Sequence, residues 1–141
     1  MFKILENYKE KGQFRFLATD ILSQVCTAPK ENSGIYLIYA DEIISKNLIY
    51  IGISGRKGSN GEIIHRKDGL GGRIVKGKQF GESRRKSWPK KMYEDNINVL
   101  LIKWYITYGK YDQQFPRPLE NKFLSILVYQ NGYLPLWNKE T

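Results

Sequence analysis

The chain has 141 residues, 41% of them hydrophobic, and a formal net charge of +9. That length supports one domain with its own core, and that apolar fraction excludes a disordered chain. A small protein this basic usually meets a polyanion, and nucleic acid is the first candidate.

No apolar run approaches the roughly 20 residues that a membrane span needs. The opening "MFKILENYKEKGQF" scatters its charges and lacks an apolar h-region, so it does not read as a signal peptide. The single cysteine, Cys26, excludes an internal disulfide and a Cys-based zinc site. It reads as a small buried residue in a reducing cytoplasm.

Taken in chain order, Phe16 to Val25 places Leu17, Ile21 and Val25 on one side, which predicts a leading helix. Ala28 to Gly34 is a loop by composition. "GIYLIYA" (34–40) and "NLIYIGI" (47–53) read as strands, and their short linker makes an antiparallel hairpin. Residues 54–69 form a long, polar, glycine-bearing loop, a common place for function. Asp68 is a candidate N-cap for a helix starting in "LGGRIVKGKQF", which Gly77 and Gly81 shorten or kink. "GESRRKSWPKKM" reads as a basic loop broken by Pro89. Residues 97–108, "INVLLIKWYITY", are the third strand. A last helix opens at Pro116 and Pro118, closes at Gly132, and buries Leu119, Phe123, Ile126 and Leu127. The expected fold is α/β (α+β): one domain over 1–141, with a leading helix and loop in 1–32 and a core in 33–138. Its sheet has three antiparallel strands flanked by helices.

Side chains alternate along a strand, so Tyr36, Ile38 and Ala40 share a face, as do Leu48, Tyr50 and Gly52. A symmetric hairpin centred on residue 43 sets Tyr36 opposite Tyr50. Such an aromatic pair is an ordinary structural feature contributing about 0.2–1 kcal/mol. Two phenols followed by a glycine that leaves room beside them is a more specific arrangement.

The triplets Gly34-Ile35-Tyr36 and Tyr50-Ile51-Gly52, separated by 13 residues, resemble the GIY-YIG nuclease family. Downstream residues extend the resemblance: Arg73 on the first helix after the hairpin, Glu120 near the start of a later helix, and Asn138 closing "PLWN". The resemblance implies a metal-dependent DNA endonuclease, a hydrolase of phosphodiester bonds. Glu120 would hold one Mg²⁺ or Mn²⁺, with water and phosphate oxygens completing the shell. Arg73 would take the scissile phosphate in bidentate fashion. A hairpin tyrosine would be the general base, Tyr36 in the favoured assignment and Tyr50 as its partner, with the reverse left open. A phenol needs nearby cations for that role, because its ordinary pKa is near 10. Asn138 would orient a ligand or brace the site.

Two departures from the family pattern stand out. Members often carry Tyr or His one turn after the arginine, where this chain has Gly77. His65, the chain's one histidine, could serve from the preceding loop as base or phosphate contact. The stretch between Gly52 and Arg73 is also long, which resembles the restriction-type branch. Lys76, Lys78, Arg84, Arg85, Lys86 and Lys90, with Trp88 among them, are the expected DNA-binding set. Cutting both strands of a duplex would call for a homodimer. The alternative function is a module on the same scaffold that binds nucleic acid without cutting it.

Overall fold

The structure, a computed structural model, describes residues 2–139. Its centre is a four-stranded antiparallel sheet with strand order β1-β8-β2-β3. These strands are β1 (Lys11–Leu17), β2 (Ser33–Ala40), β3 (Leu48–Ser54) and β8 (Val99–Tyr108). Two small hairpins lie outside the sheet. One pairs β4 (Arg56–Lys57) with β5 (Ile63–Ile64), and the other pairs β6 (Lys78–Gln79) with β7 (Glu82–Ser83). The helices are α1 (Leu22–Val25), α2 (Gly69–Lys76), α3 (Arg84–Glu94) and α4 (Pro116–Asn131). No helix among the described residues is long and apolar enough to cross a membrane.

The alternation along β2 explains why the sheet carries helices on both faces. Tyr36 and Ile38 point into a cluster with Leu70 and Ile74 of α2 and Trp88 and Met92 of α3. Ile35 and Leu37 point the other way, toward Phe123 and Leu127 of α4 and toward Phe2 and Leu5. A strand buried on both sides reads as a continuous apolar run, which is what "GIYLIYA" is. Gly34 is required by close packing, since a Cβ there would run into the Tyr105 carbonyl of β8.

Several features differ from the sequence reading. The sheet has a fourth strand, because Phe16 and Leu17 end β1 instead of opening a helix. The residues "QFRF" alternate exposed and buried, and Phe14 and Phe16 fill the core. Only one turn of the leading helix survives, as α1. The "basic loop" is α3, a helix that tolerates Pro89 in its interior. Proline there removes one backbone bond, at a helix-interior cost of about 3 kcal/mol. Asp68 sits at the N-cap position of α2 in a left-handed conformation and makes no side-chain cap bond. Its carboxylate instead meets Lys76 Nζ at 2.7 Å.

The hairpin register is displaced by two residues. Tyr36 pairs with Gly52 and Ile38 with Tyr50, and a bulge follows at Ile38/Tyr39. A two-residue displacement keeps side chains on their face. Tyr36 and Tyr50 therefore still meet, as diagonal neighbours with ring centroids 6.0 Å apart. Gly52 lies beneath them. A Cβ there would stand 2.5 Å from Tyr36 Oη and 2.7 Å from Tyr50 Cε2. The helix α4 begins at Pro116 and ends on Gly132 in the left-handed region. Pro116, Phe123 and Leu127 are its buried residues, while Leu119 and Ile126 are half-buried and pack in the cluster that holds Phe123 and Leu127.

Candidate active site

Strand β3 is the support of the site. It forms one edge of the sheet, and both α2 and α4 pack on it. Asn138, in the final turn Leu136–Asn138, closes that edge. Its Oδ1 accepts from Ile51 N–H and its Nδ2 donates to Ile51 C=O, both at 3.0 Å. Asn138 thus acts on the strand as a brace, one of the two roles foreseen for it.

Where β3 ends, a cavity of about 470 Å³ opens between the two helices. Tyr50, Arg73 of α2, Glu120 of α4 and His65 all line it, with Ser54 and Gly55 at its base. Three further arginines, Arg56, Arg66 and Arg117, stand around it. Residues spread over 71 positions from Tyr50 to Glu120 thus reach one opening.

The two tyrosines are not equivalent. Tyr50 lines the cavity, whereas Tyr36 is fully buried behind it. The phenol that lines the opening is therefore Tyr50, while Tyr36, the favoured base, is not among the cavity-lining residues. Burial pushes the Tyr50 phenol up to about 12, and Tyr36 adds to the rise. Arg84 and Arg73 oppose it, while Glu120 raises it slightly further. At neutral pH Tyr50 is therefore a neutral hydroxyl that donates one hydrogen bond and accepts others.

Glu120 is half-buried, and that burial raises its carboxyl above the usual range; Arg117 and Arg73 pull it back. The Arg117 guanidinium stands 3.9 Å from the carboxylate, three residues earlier on α4. A carboxylate raised by desolvation gains when a cation arrives beside it. Among the described residues no group of three or more His, Cys, Asp or Glu could form an all-protein metal cage. One carboxylate in an open cavity with room for several waters fits a single Mg²⁺ or Mn²⁺ that keeps waters and takes other oxygens from a phosphate.

His65 follows β5, and its Nδ1 lies 2.7 Å from the buried Ser33 Oγ. Its ring meets the edge of Tyr108 at 6.1 Å. With Nδ1 engaged, Nε2 is the ring nitrogen left for a ligand or a proton.

The expected DNA-binding set divides. Lys76, Lys78, Arg85, Lys86 and Lys90 are exposed on α2, β6 and α3, outside the cavity. Lys76 pairs with Asp68 at 2.7 Å and Lys90 with Glu82 at 2.8 Å. Trp88 and Arg84 do not belong to this surface, since both are fully buried. The Trp88 indole donates to Gln79 Oε1 at 3.0 Å and cannot wedge beside a base. Arg84 donates from Nη2 to Tyr36 Oη at 2.7 Å, and from Nη1 to the carbonyls of Arg73 at 3.2 Å and Ile74 at 3.4 Å.

No family model, curated protein or solved structure matches this chain. Its site is therefore described by its own geometry. Sequence reasoning missed Arg56, Arg66 and Arg117 as cavity residues. Arg117 had a signal, since it sits three positions before Glu120 on the same opening turn. Arg56 and Arg66 flank the glycine-rich segment and reach the cavity only because the β4–β5 hairpin folds it back.

Proposed function

We propose that this protein is a metal-dependent endonuclease of GIY-YIG type that hydrolyses DNA phosphodiester bonds in the cavity between β3, α2 and α4. The observation that carries this reading is the meeting of Tyr50, Arg73, Glu120 and His65 in one cavity with four arginines on its walls. That wall suits a phosphate backbone, and the +9 chain supplies a favourable field around it.

In this reading Arg73 grips the scissile phosphate through its planar fork. Glu120 holds one Mg²⁺ or Mn²⁺, which when bound acts as a Lewis acid and raises the acidity of water. Tyr50, neutral at working pH, orients the attacking water by hydrogen bonding. His65, in the tautomer whose Nδ1–H donates to Ser33 Oγ, accepts on Nε2 the proton that the water loses as its oxygen bonds to phosphorus. The opposite P–O ester bond breaks, and the departing sugar oxygen takes a proton from solvent water. The β4–β5 hairpin, bearing Arg56, Lys57 and the glycine-rich tip, lies along the DNA, in keeping with a restriction-type arm. A homodimer would set two such cavities against the two strands.

Supercoiled plasmid with Mg²⁺ or Mn²⁺ tests this. Wild type should convert it to open circles, chelator should stop the conversion, and Glu120→Gln should lose it. A wild type that leaves plasmid intact in both metals, or a Glu120→Gln that nicks equally well, contradicts hydrolysis at this cavity. The second reading, binding without cleavage, draws on Gly77 and on the unreactive Tyr50 phenol. It predicts salt-sensitive duplex binding with the plasmid intact.

A further inference from the structure

The Arg84 guanidinium is the least expected group in the core. It is fully buried, and no carboxylate pairs with it among the described residues. Its Nε–H has no partner. Its neighbours are three aromatic rings, with the guanidinium carbon 5.4 Å from the Tyr36 centroid, 5.8 Å from Tyr50 and 5.1 Å from Trp88. An interior charge without a counter-ion is costly, and folded proteins usually pair it. Packing alone would be served by methionine or leucine.

Two geometric facts tie this cation to the cavity. First, Gly77 ends α2 directly beside it. A Cβ at 77 would stand 3.3 Å from the Arg84 guanidinium carbon and 2.5 Å from the Arg73 carbonyl oxygen. A side chain one turn after Arg73 would thus meet the Arg73 carbonyl first, and the Arg84 guanidinium, reaching in from α3, crowds the same point. Second, a guanidinium donates and never accepts. Tyr36 Oη must therefore accept from Arg84, and its own hydroxyl hydrogen must point elsewhere. Tyr36 Oη also sits at the tight packing of both tyrosines on Gly52, where a Cβ would stand 2.5 Å from it and 2.7 Å from Tyr50 Cε2.

We infer that Arg84 is a positioning residue of the site: it locks the Tyr36 hydroxyl as its acceptor, fixes the Tyr36–Tyr50 pair through it, and adds an interior positive charge behind the phosphodiester. The inference rests on the nucleic-acid reading of the cavity. The phosphodiester is the counter-charge that the folded chain alone does not provide.

Tyrosine ¹³Cζ NMR tests it on the full chain, with Tyr36 and Tyr50 assigned by their phenylalanine variants and the dinucleotide dTpdT as probe. Arg84→Met should move the Cζ signals of both Tyr36 and Tyr50, leave those of Tyr39 and Tyr105 in place, and weaken dTpdT about tenfold. Arg84→Lys keeps the charge but not the fork. It should recover most of the dTpdT affinity while the Tyr36 signal stays displaced. If Arg84→Met leaves the Tyr50 signal and the dTpdT affinity unchanged, Arg84 is a core strut and the inference is overturned. Should the Met variant not fold, the Lys variant decides: unmoved Tyr36 and Tyr50 signals overturn the inference. A wild type that ignores dTpdT, with Tyr50 still following Arg84, overturns the nucleic-acid reading and the charge role while supporting the positioning of the pair.

Discussion

Arg73→Ala should lower the DNA cleavage rate by about 10²–10³-fold, a transition-state loss of about 3–4 kcal/mol. Duplex affinity should stay within a few-fold of wild type. The expectation follows from where Arg73 sits. It projects from α2 into the cavity that Glu120 lines from the other side. No carboxylate forms an ion pair with it among the described residues. In the proposed hydrolysis its charge is free for the phosphate as negative charge builds on the equatorial oxygens. On the proposed reading, affinity would depend instead on many separated cations, including Arg56, Arg66 and the lysines of α3, so removing one would change it little. Arg73→Lys should recover only part of the rate, because an ammonium supplies charge without the two-pronged geometry. Single-turnover rates and duplex titrations at fixed salt measure both quantities. Equal losses in rate and affinity would make Arg73 an ordinary phosphate contact.

Trp137→Ala should destabilise the fold by about 3–5 kcal/mol, the range for removing a buried tryptophan. At roughly 3 °C per kcal/mol for a chain of this size, Tm should fall by about 10 °C or more. Trp137 is fully buried. Its ring meets Phe80 edge-on at 5.2 Å and Trp88 at 6.3 Å, and its Nε1 donates to Asp95 Oδ2 at 2.8 Å. It also anchors the turn that carries Asn138, the brace on Ile51. The damage should therefore reach the edge strand under the cavity. Trp137→Phe keeps most of the packing and loses the Asp95 bond, and should cost about 1–3 kcal/mol. A calorimetric scan showing no loss in Trp137→Ala would mean that the C-terminal turn does not hold β3.

The sequence carried the central hairpin, the long strand β8 and helix α4 because each has a strong local signature. β2 and β8 are apolar, β-branched and aromatic; α4 has Pro116 at its start and Gly132 at its end. Two elements were misread because two signals competed. Leu17, Ile21 and Val25 keep helical spacing, yet Phe14 and Phe16 alternate, and the sheet edge beside β8 rewards the alternation. In α3, Pro89 and five basic residues suggested a loop. Arg84, Trp88 and Met92 nevertheless repeat at four-residue spacing and form its buried face. That same periodicity would have placed Arg84 inside. The hairpin register escaped because a bulge has no sequence mark here.

The site was legible as a set of residues but not as an arrangement. Tyr50, Arg73, Glu120 and His65 do share a cavity, and Asn138 braces the strand that carries Tyr50. Which phenol faces the opening depended on the depth of β2 in the sheet, a property of four strands packed together. Tyr36 is the inner member, so its partner is Arg84. The pairing of Arg84 with the Gly77 gap joins two helices and had no local pattern to reveal it.

The most direct test of the cavity as a nuclease site is a crystal of Tyr50→Phe with a DNA duplex and Mn²⁺, read by anomalous scattering. The account predicts one Mn²⁺ peak at the Glu120 carboxylate, with a backbone phosphate on Arg73 in the same cavity. A metal peak away from Glu120, or DNA lying on another face with the cavity free of phosphate, would contradict it.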